Sequence, residues 1–136
     1  MNRWSSILSS PWTPNLPAPE AALEVLQASV PFKLSGEYLD LLRWANGGEG
    51  WIGEVYLSIW SVEAVARLNE GYLIPTNLPT VFVIGDDGSH FYGFDHARPN
   101  PEVVRFPVGF VHPAGIDVRD PSLEKVLHAL ATRSLH

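Results

Sequence analysis

Apolar positions along the chain change period several times, and each change marks an element. Trp4, Ile7, Leu8 and Trp12 lie near a helical period, which predicts a short N-terminal helix or an ordered arm ending at Pro11 and Pro14. Two tryptophans so early imply that this segment packs on the body of the domain. Pro17 and Pro19 then open a firmer helix, since proline is tolerated in a first turn where its missing N–H has no partner anyway. Ala22, Leu23, Leu26 and Val30 are its apolar stripe, and Pro31 stops it. Ser35 is a good N-cap for a second helix, in which Tyr38, Leu41, Leu42 and Ala45 repeat at one buried face. Asn46, Gly47 and Gly48 close it, because glycine takes the left-handed conformation at a helix end without a Cβ penalty.

From Trp51 the period shortens. Trp51, Ile52, Val55, Tyr56, Leu57, Ile59 and Trp60 predict one or two short strands. Ser61 reads as the N-cap of a short helix carrying Val62, Val65, Ala66 and Leu68, and residues 69–79 read as loop. Val81 to Ile84 is a compact apolar strand, Gly85 to Ser89 a turn, and Phe91, Tyr92 and Phe94 the returning strand of a hairpin. Val103, Val104 and Phe106 form a further strand, and Ile116 and Val118 a short edge strand. Asp120-Pro121-Ser122 starts a last helix with Leu123, Val126, Leu127 and Leu130 on one face. Strands and helices are segregated, with no regular alternation. That pattern predicts an α+β fold: a single domain over residues 1–136, with residues 1–19 as an N-terminal arm, built on a mostly antiparallel sheet of about four to six strands flanked by helices.

Length and composition fit this reading. A chain of 136 residues with 46% hydrophobic and 18% charged residues holds a core without staples. It has no cysteine, which removes disulfides, thiolate metal sites and thiol nucleophiles, and fits a cytoplasmic location. The N-terminus does not read as a signal peptide, and no apolar run is long enough to span a membrane.

The charge is unevenly placed. Of the net −6, residues 1–48 carry −1, residues 49–96 carry −6 and residues 97–136 carry +1. Clustered Lys and Arg are needed to hold phosphate, so nucleic acid is not the expected ligand. An acidic middle third is compatible with a basic protein partner, and equally with a solvated surface that maintains solubility.

Catalytic and metal readings are weaker. His90 and His96 flank a strand containing Asp95, but six extended residues hold them about 20 Å apart and their spacing matches no zinc pattern; His112, His128 and His136 add none. Asp86 and Asp87 resemble the start of a carboxylate cluster, yet the loop lacks further ligands and an Asp-Gly turn explains it more simply. Gly47-Gly48-Glu49-Gly50 follows a helix C-terminus, the wrong end of the dipole for phosphate. There is no G-x-S-x-G. Nothing in the spacing brings Glu49, Glu54 and Asp95 together as an acid/base pair. The expectation is therefore a protein that is not an enzyme and takes no cofactor and no metal.

Trp44, Trp51 and Trp60 cluster around the glycine-rich corner, where tryptophan beside acids makes a plausible interface and full burial is the bland alternative. The best-placed contributors to a partner-binding surface are Glu49, Trp51, Glu54, Asp86 and Asp87.

The order of motifs resembles the SUKH superfamily, the Smi/Knr-type proteins. The carriers are "LLRWANGGEG", "IWSVEAVARLNEGY", "LPTVFVIGDDGSHFYGFD", "PEVVRF" and "DPSLEKVLHAL". Its pattern falls on Asn46, Gly47, Gly48, Asn69, Gly85, Asp86, Gly88, Tyr92 and Asp95, and the likeness covers about residues 20 to 130. The Trp-containing arm and Pro107 to Pro113 depart from it. The resemblance implies a protein-binding module. Most members are bacterial immunity proteins that bind and inhibit a cognate toxin, often a nuclease or deaminase; others are regulatory or scaffolding proteins with non-toxin partners. The expected partner here is a basic toxin protein, with no nucleic acid and no membrane bound directly, and the expected state is a monomer or weak dimer.

Overall fold

The computed structural model of the chain describes residues 2–132; Met1 and residues 133–136, His136 among them, lie outside the described residues. The elements run α1 (Arg3–Ile7), β1 (Thr13–Pro14), α2 (Glu20–Ser29), α3 (Gly36–Trp44), β2 (Gly48–Ile52), β3 (Val55–Ile59), α4 (Val65–Gly71), α5 (Ile74–Asn77), β4 (Val81–Asp86), β5 (His90–Asp95), β6 (Glu102–Pro107), β7 (Val118–Asp120) and α6 (Leu123–Ala131). A single 3-10 turn, Pro113–Gly115, precedes β7. The fold is α+β, and its one sheet has seven strands in sequential order, every neighbour antiparallel. That is one strand more than the upper expectation of six.

Caps explain where α3 and α6 begin. Ser35 Oγ accepts from the backbone N–H groups of Glu37 (3.2 Å) and Tyr38 (3.5 Å) at the start of α3. Ser122 Oγ accepts from Lys125 N at the start of α6 (3.2 Å). The Glu37 carboxylate also reaches across from α3 and accepts from Leu123 N (2.6 Å) and Glu124 N (2.9 Å). One helix thereby satisfies two orphan donors of another, with negative charge at the positive end of the dipole.

The segment after β3 differs from the sequence expectation. Ser61 does not cap a helix. Its carbonyl accepts from Ala64 N (3.1 Å) and Val65 N (2.9 Å) to make a turn, while Val62 N donates to Asn46 Oδ1 (2.8 Å). The helix α4 itself starts at Val65, after this turn. The stretch 69–79 is likewise not all loop, because α5 forms there and buries Ile74.

The sheet is joined unevenly. β3 and β4 pair in register through Ser58↔Asp86 and Ile59↔Gly85, with one further backbone bond from Trp60 N to Ile84 O (2.9 Å). Further along β4 the neighbour is a side chain. Asn69 of α4, 3% exposed, accepts from Val83 N and donates to Val83 O, both at 2.8 Å, and its amide also donates to Val65 O (2.8 Å). The residue thus takes the place of a missing strand at Val83, satisfying backbone groups that burial would otherwise leave costly. A register shift between Val83 and Gly85 kinks β4 at the same place.

Both faces of the central strands are covered. Along β5 successive side chains alternate faces. Phe94 meets Tyr38 of α3 at 6.1 Å, and Phe91 meets Tyr72, just after α4, at 4.9 Å. The N-terminal arm belongs to this core: Trp4, Leu8 and Trp12 are buried. Trp4 Nε1 donates to Asp40 Oδ2 (2.9 Å), and Trp12 Nε1 to Leu57 O (3.0 Å). β1 adds to the edge of β2 over Thr13↔Glu49 and Pro14↔Gly48, and its proline and shortness keep that edge from templating further pairing. The arm lies so close to β2 that a Cβ on Gly50 would stand 2.5 Å from Trp12 Cα. Gly47 takes φ +76°, and a Cβ there would fall 2.4 Å from Ile59 O.

Candidate functional site

The strands β1 to β3 carry one face that the helices do not fully cover. Residues opposite one another in register share a face. Register therefore aligns Thr13, Glu49, Ser58, Asp86 and Phe91 in one row across the sheet, with Trp51 and Tyr56 paired in the next row of that face. The intervening residues, Gly50 and Ile52 on β2 and Leu57 and Ile59 on β3, are buried. This alternation exposes one set and hides the other.

The exposed set is aromatic and acidic. Trp51 is 53% exposed and Tyr56 41% exposed, and their rings meet edge to face at 5.6 Å. The Tyr56 hydroxyl donates to Glu49 Oε2 at 2.8 Å, which raises its pKa above the ordinary phenol value. Trp60, next on this face of β3, is buried and stacks against Tyr72 at 6.0 Å. Tyr72 is half exposed and followed by exposed Leu73, which adopts φ +58°, a left-handed conformation uncommon for a residue with a side chain.

The five residues singled out from sequence separate in space. Glu49 and Trp51 stand on this face. Glu54 is exposed in the turn between β2 and β3. Asp86 is half-buried within the row, its carboxylate accepting from Trp60 Nε1 (3.1 Å) and Gly88 N (2.9 Å). Asp87 is turned inward with its side chain only 4% exposed. It accepts from Ser89 N (2.9 Å), His90 N (2.7 Å) and the Tyr92 hydroxyl (2.7 Å). Asp86 and Asp87 therefore build the β4–β5 turn, and Asp87 presents no carboxylate to a partner. Of the three clustered tryptophans, Trp44 is half-buried and stacks on Trp12 at 6.2 Å, so Trp51 alone of them is open. The sequence pattern puts Tyr56 in a strand and Tyr72 in the 69–79 loop and marks neither as surface. The period-two alternation through Glu49, Trp51, Tyr56 and Ser58 was the available signal.

The remaining polar groups are largely engaged with one another. Asp95 accepts from Thr80 Oγ1 (2.7 Å), Ala97 N (3.0 Å) and Arg119 Nη1 (3.0 Å), at the edge of a hollow of about 470 Å³ also lined by Arg98, Asn100 and Glu102. Buried Arg105 forks onto Asp117 (3.0 and 2.9 Å), which holds that carboxyl below the ordinary range. His90 stands beside Asp87 and Asp117, whereas His96 stacks flat on Phe32 at 4.5 Å with no hydrogen bond to either ring nitrogen. Among the described residues no three His, Asp or Glu side chains converge to hold a metal ion, and no helix is long and apolar enough to cross a membrane. An apolar cleft between the end of α2, α4, α5 and β4 measures only about 120 Å³, below the roughly 300–1,000 Å³ of small-molecule sites.

The comparisons agree with the fold. No curated protein matches the chain. The profile of the SMI1 / KNR4 family (SUKH-1) matches residues 17–128, from just ahead of α2 into α6. Asn46 and Asn69, singled out by the resemblance, are the side chains that tie α3 and α4 to their neighbours, so the shared pattern is a set of structural ties. With most of its length matched and those ties in place, the chain belongs to the SMI1 / KNR4 family (SUKH-1).

Proposed function

We propose that the chain is a protein-binding module without catalytic activity, acting as an immunity protein. It binds a cognate bacterial toxin of nuclease or deaminase type in the cytoplasm and inhibits it by stoichiometric occupation. The observation that carries this reading is the open sheet face of Glu49, Trp51 and Tyr56, with Tyr72 beside it. Family membership supports a role of this kind. A toxin that acts on nucleic acid needs a basic groove for phosphate. An acidic face complements that groove and speeds association, while exposed tryptophan and tyrosine supply the desolvated anchors that hold a complex. Glu54 adds charge at the rim, and Asp86 and Asp87 build the β4–β5 turn.

The test is co-expression with the C-terminal domain of the adjacent large open reading frame. Restored growth and co-purification at one-to-one stoichiometry are expected. A neighbour that kills equally with and without the chain removes the immunity reading. A harmless neighbour would leave a regulatory or scaffolding partner to be sought by pull-down.

A further inference from the structure

The geometry points to an arginine side chain of the partner protein as the group received by the Trp51–Tyr56–Glu49 corner, an inference that rests on reading this sheet face as the binding surface. Trp51 and Tyr56 are cross-strand partners in register. Their ring planes meet at 86°. Both rings stay partly open to solvent, so the edge-to-face pair presents aromatic surface beside the Glu49 carboxylate. Glu49 stands beside it on the same face. Its Oε2 is occupied by the Tyr56 hydroxyl, which fixes the phenol in place, while Oε1 receives no hydrogen bond among the described residues.

These three parts match one kind of group. A cation above a ring face is attracted by the ring quadrupole, most strongly for tryptophan. A guanidinium also stacks flat on an indole and keeps N–H donors at its edge for a carboxylate oxygen. An ammonium offers the charge but cannot stack, so the corner favours arginine over lysine. Charge complementarity points the same way, since Glu49 at the corner and Glu54 in the adjoining turn are exposed and β1, β2 and β3 carry no Lys or Arg.

The probe is acetyl-Gly-Arg-Gly-amide titrated into the ¹⁵N-labelled full chain, against the same peptide with lysine and with neutral citrulline. The Trp51 indole N–H is identified as the cross-peak missing in Trp51→Phe. It is expected to shift saturably with the arginine peptide, less with lysine and not with citrulline. Glu49→Gln should weaken arginine binding about two- to fivefold, and Trp51→Ala should abolish it in a chain whose spectrum remains dispersed. No saturable shift, or equal shifts with arginine and citrulline, would overturn the inference. Toxin neutralisation without any response to the arginine peptide would also overturn the corner, while leaving the binding module intact.

Discussion

Replacing Asn69 with alanine tests the least ordinary feature of the fold, a side chain standing in for a strand. The substitution removes three hydrogen bonds of 2.8 Å at a site 3% exposed. Val65 O keeps its position in the helix ladder, so its loss is small. Val83 is different, because its N–H and C=O meet only Asn69 on that side of β4, β3 having diverged. Each buried backbone group left unpaired costs about 1–3 kcal/mol. Water entering the space vacated by the amide recovers part of this, leaving a net loss of roughly 2–4 kcal/mol. In a domain of this size that lowers Tm by on the order of 10 °C. Asn69→Asp sharpens the case. It keeps the acceptor for Val83 N, loses both donations and buries a carboxylate, so near neutral pH it should be at least as unstable as alanine. Thermal unfolding by circular dichroism gives the loss, and native-state exchange of the Val83 amide localises it. A Tm within 3 °C of the parent, with exchange at Val83 unchanged, would show that Val83 does not depend on Asn69 for its pairing.

Two further outcomes follow from other parts of the core. A chain lacking residues 1–16 still contains the whole family match, yet it loses buried Trp4 and Trp12. Each large aromatic removed from a core costs about 3–5 kcal/mol, so cooperative unfolding and the near-ultraviolet dichroism should disappear; a truncated chain with near-parental Tm would show the arm to be an accessory. His96→Phe should flatten the dependence of Tm on pH between about 5 and 7. Burial lowers the folded pKa of His96 from its ordinary 6.5, so the unfolded chain takes the proton first and stability falls as pH drops below that value. A slope unchanged by the substitution would assign the dependence to other groups.

Much of the fold is legible in local pattern. Ser35 and Ser122 cap the helices that their spacing predicts, and the β4–β5 hairpin forms around the Asp-Gly turn because both aspartates bond within it. What local pattern misses is set by tertiary contacts. Ser61 has the chemistry of a cap, but residues 62–64 form a turn closed on its carbonyl, tied to Asn46 at Val62 N, and α4 begins at Val65. β1 is two residues ending in proline, invisible to any strand rule, and exists because Trp12 anchors the arm to Leu57 O. The site divides in the same way. Glu49 and Trp51 were visible as an acid and an aromatic beside glycines. That Asp87 faces inward depends on the hydroxyl of Tyr92, five residues on, and that Tyr56 faces outward depends on register with Trp51.

The Glu49–Trp51–Tyr56 sheet face is the proposed binding surface for the partner. The decisive measurement is calorimetric titration of the domain that co-purifies with the chain, using the parent chain and Trp51→Ala/Glu49→Lys. Both substituted positions are exposed, so Tm should hold, while affinity falls at least about 100-fold and its salt dependence weakens. Unchanged affinity and salt dependence in a folded double variant would contradict the claim and place the interface elsewhere on the domain.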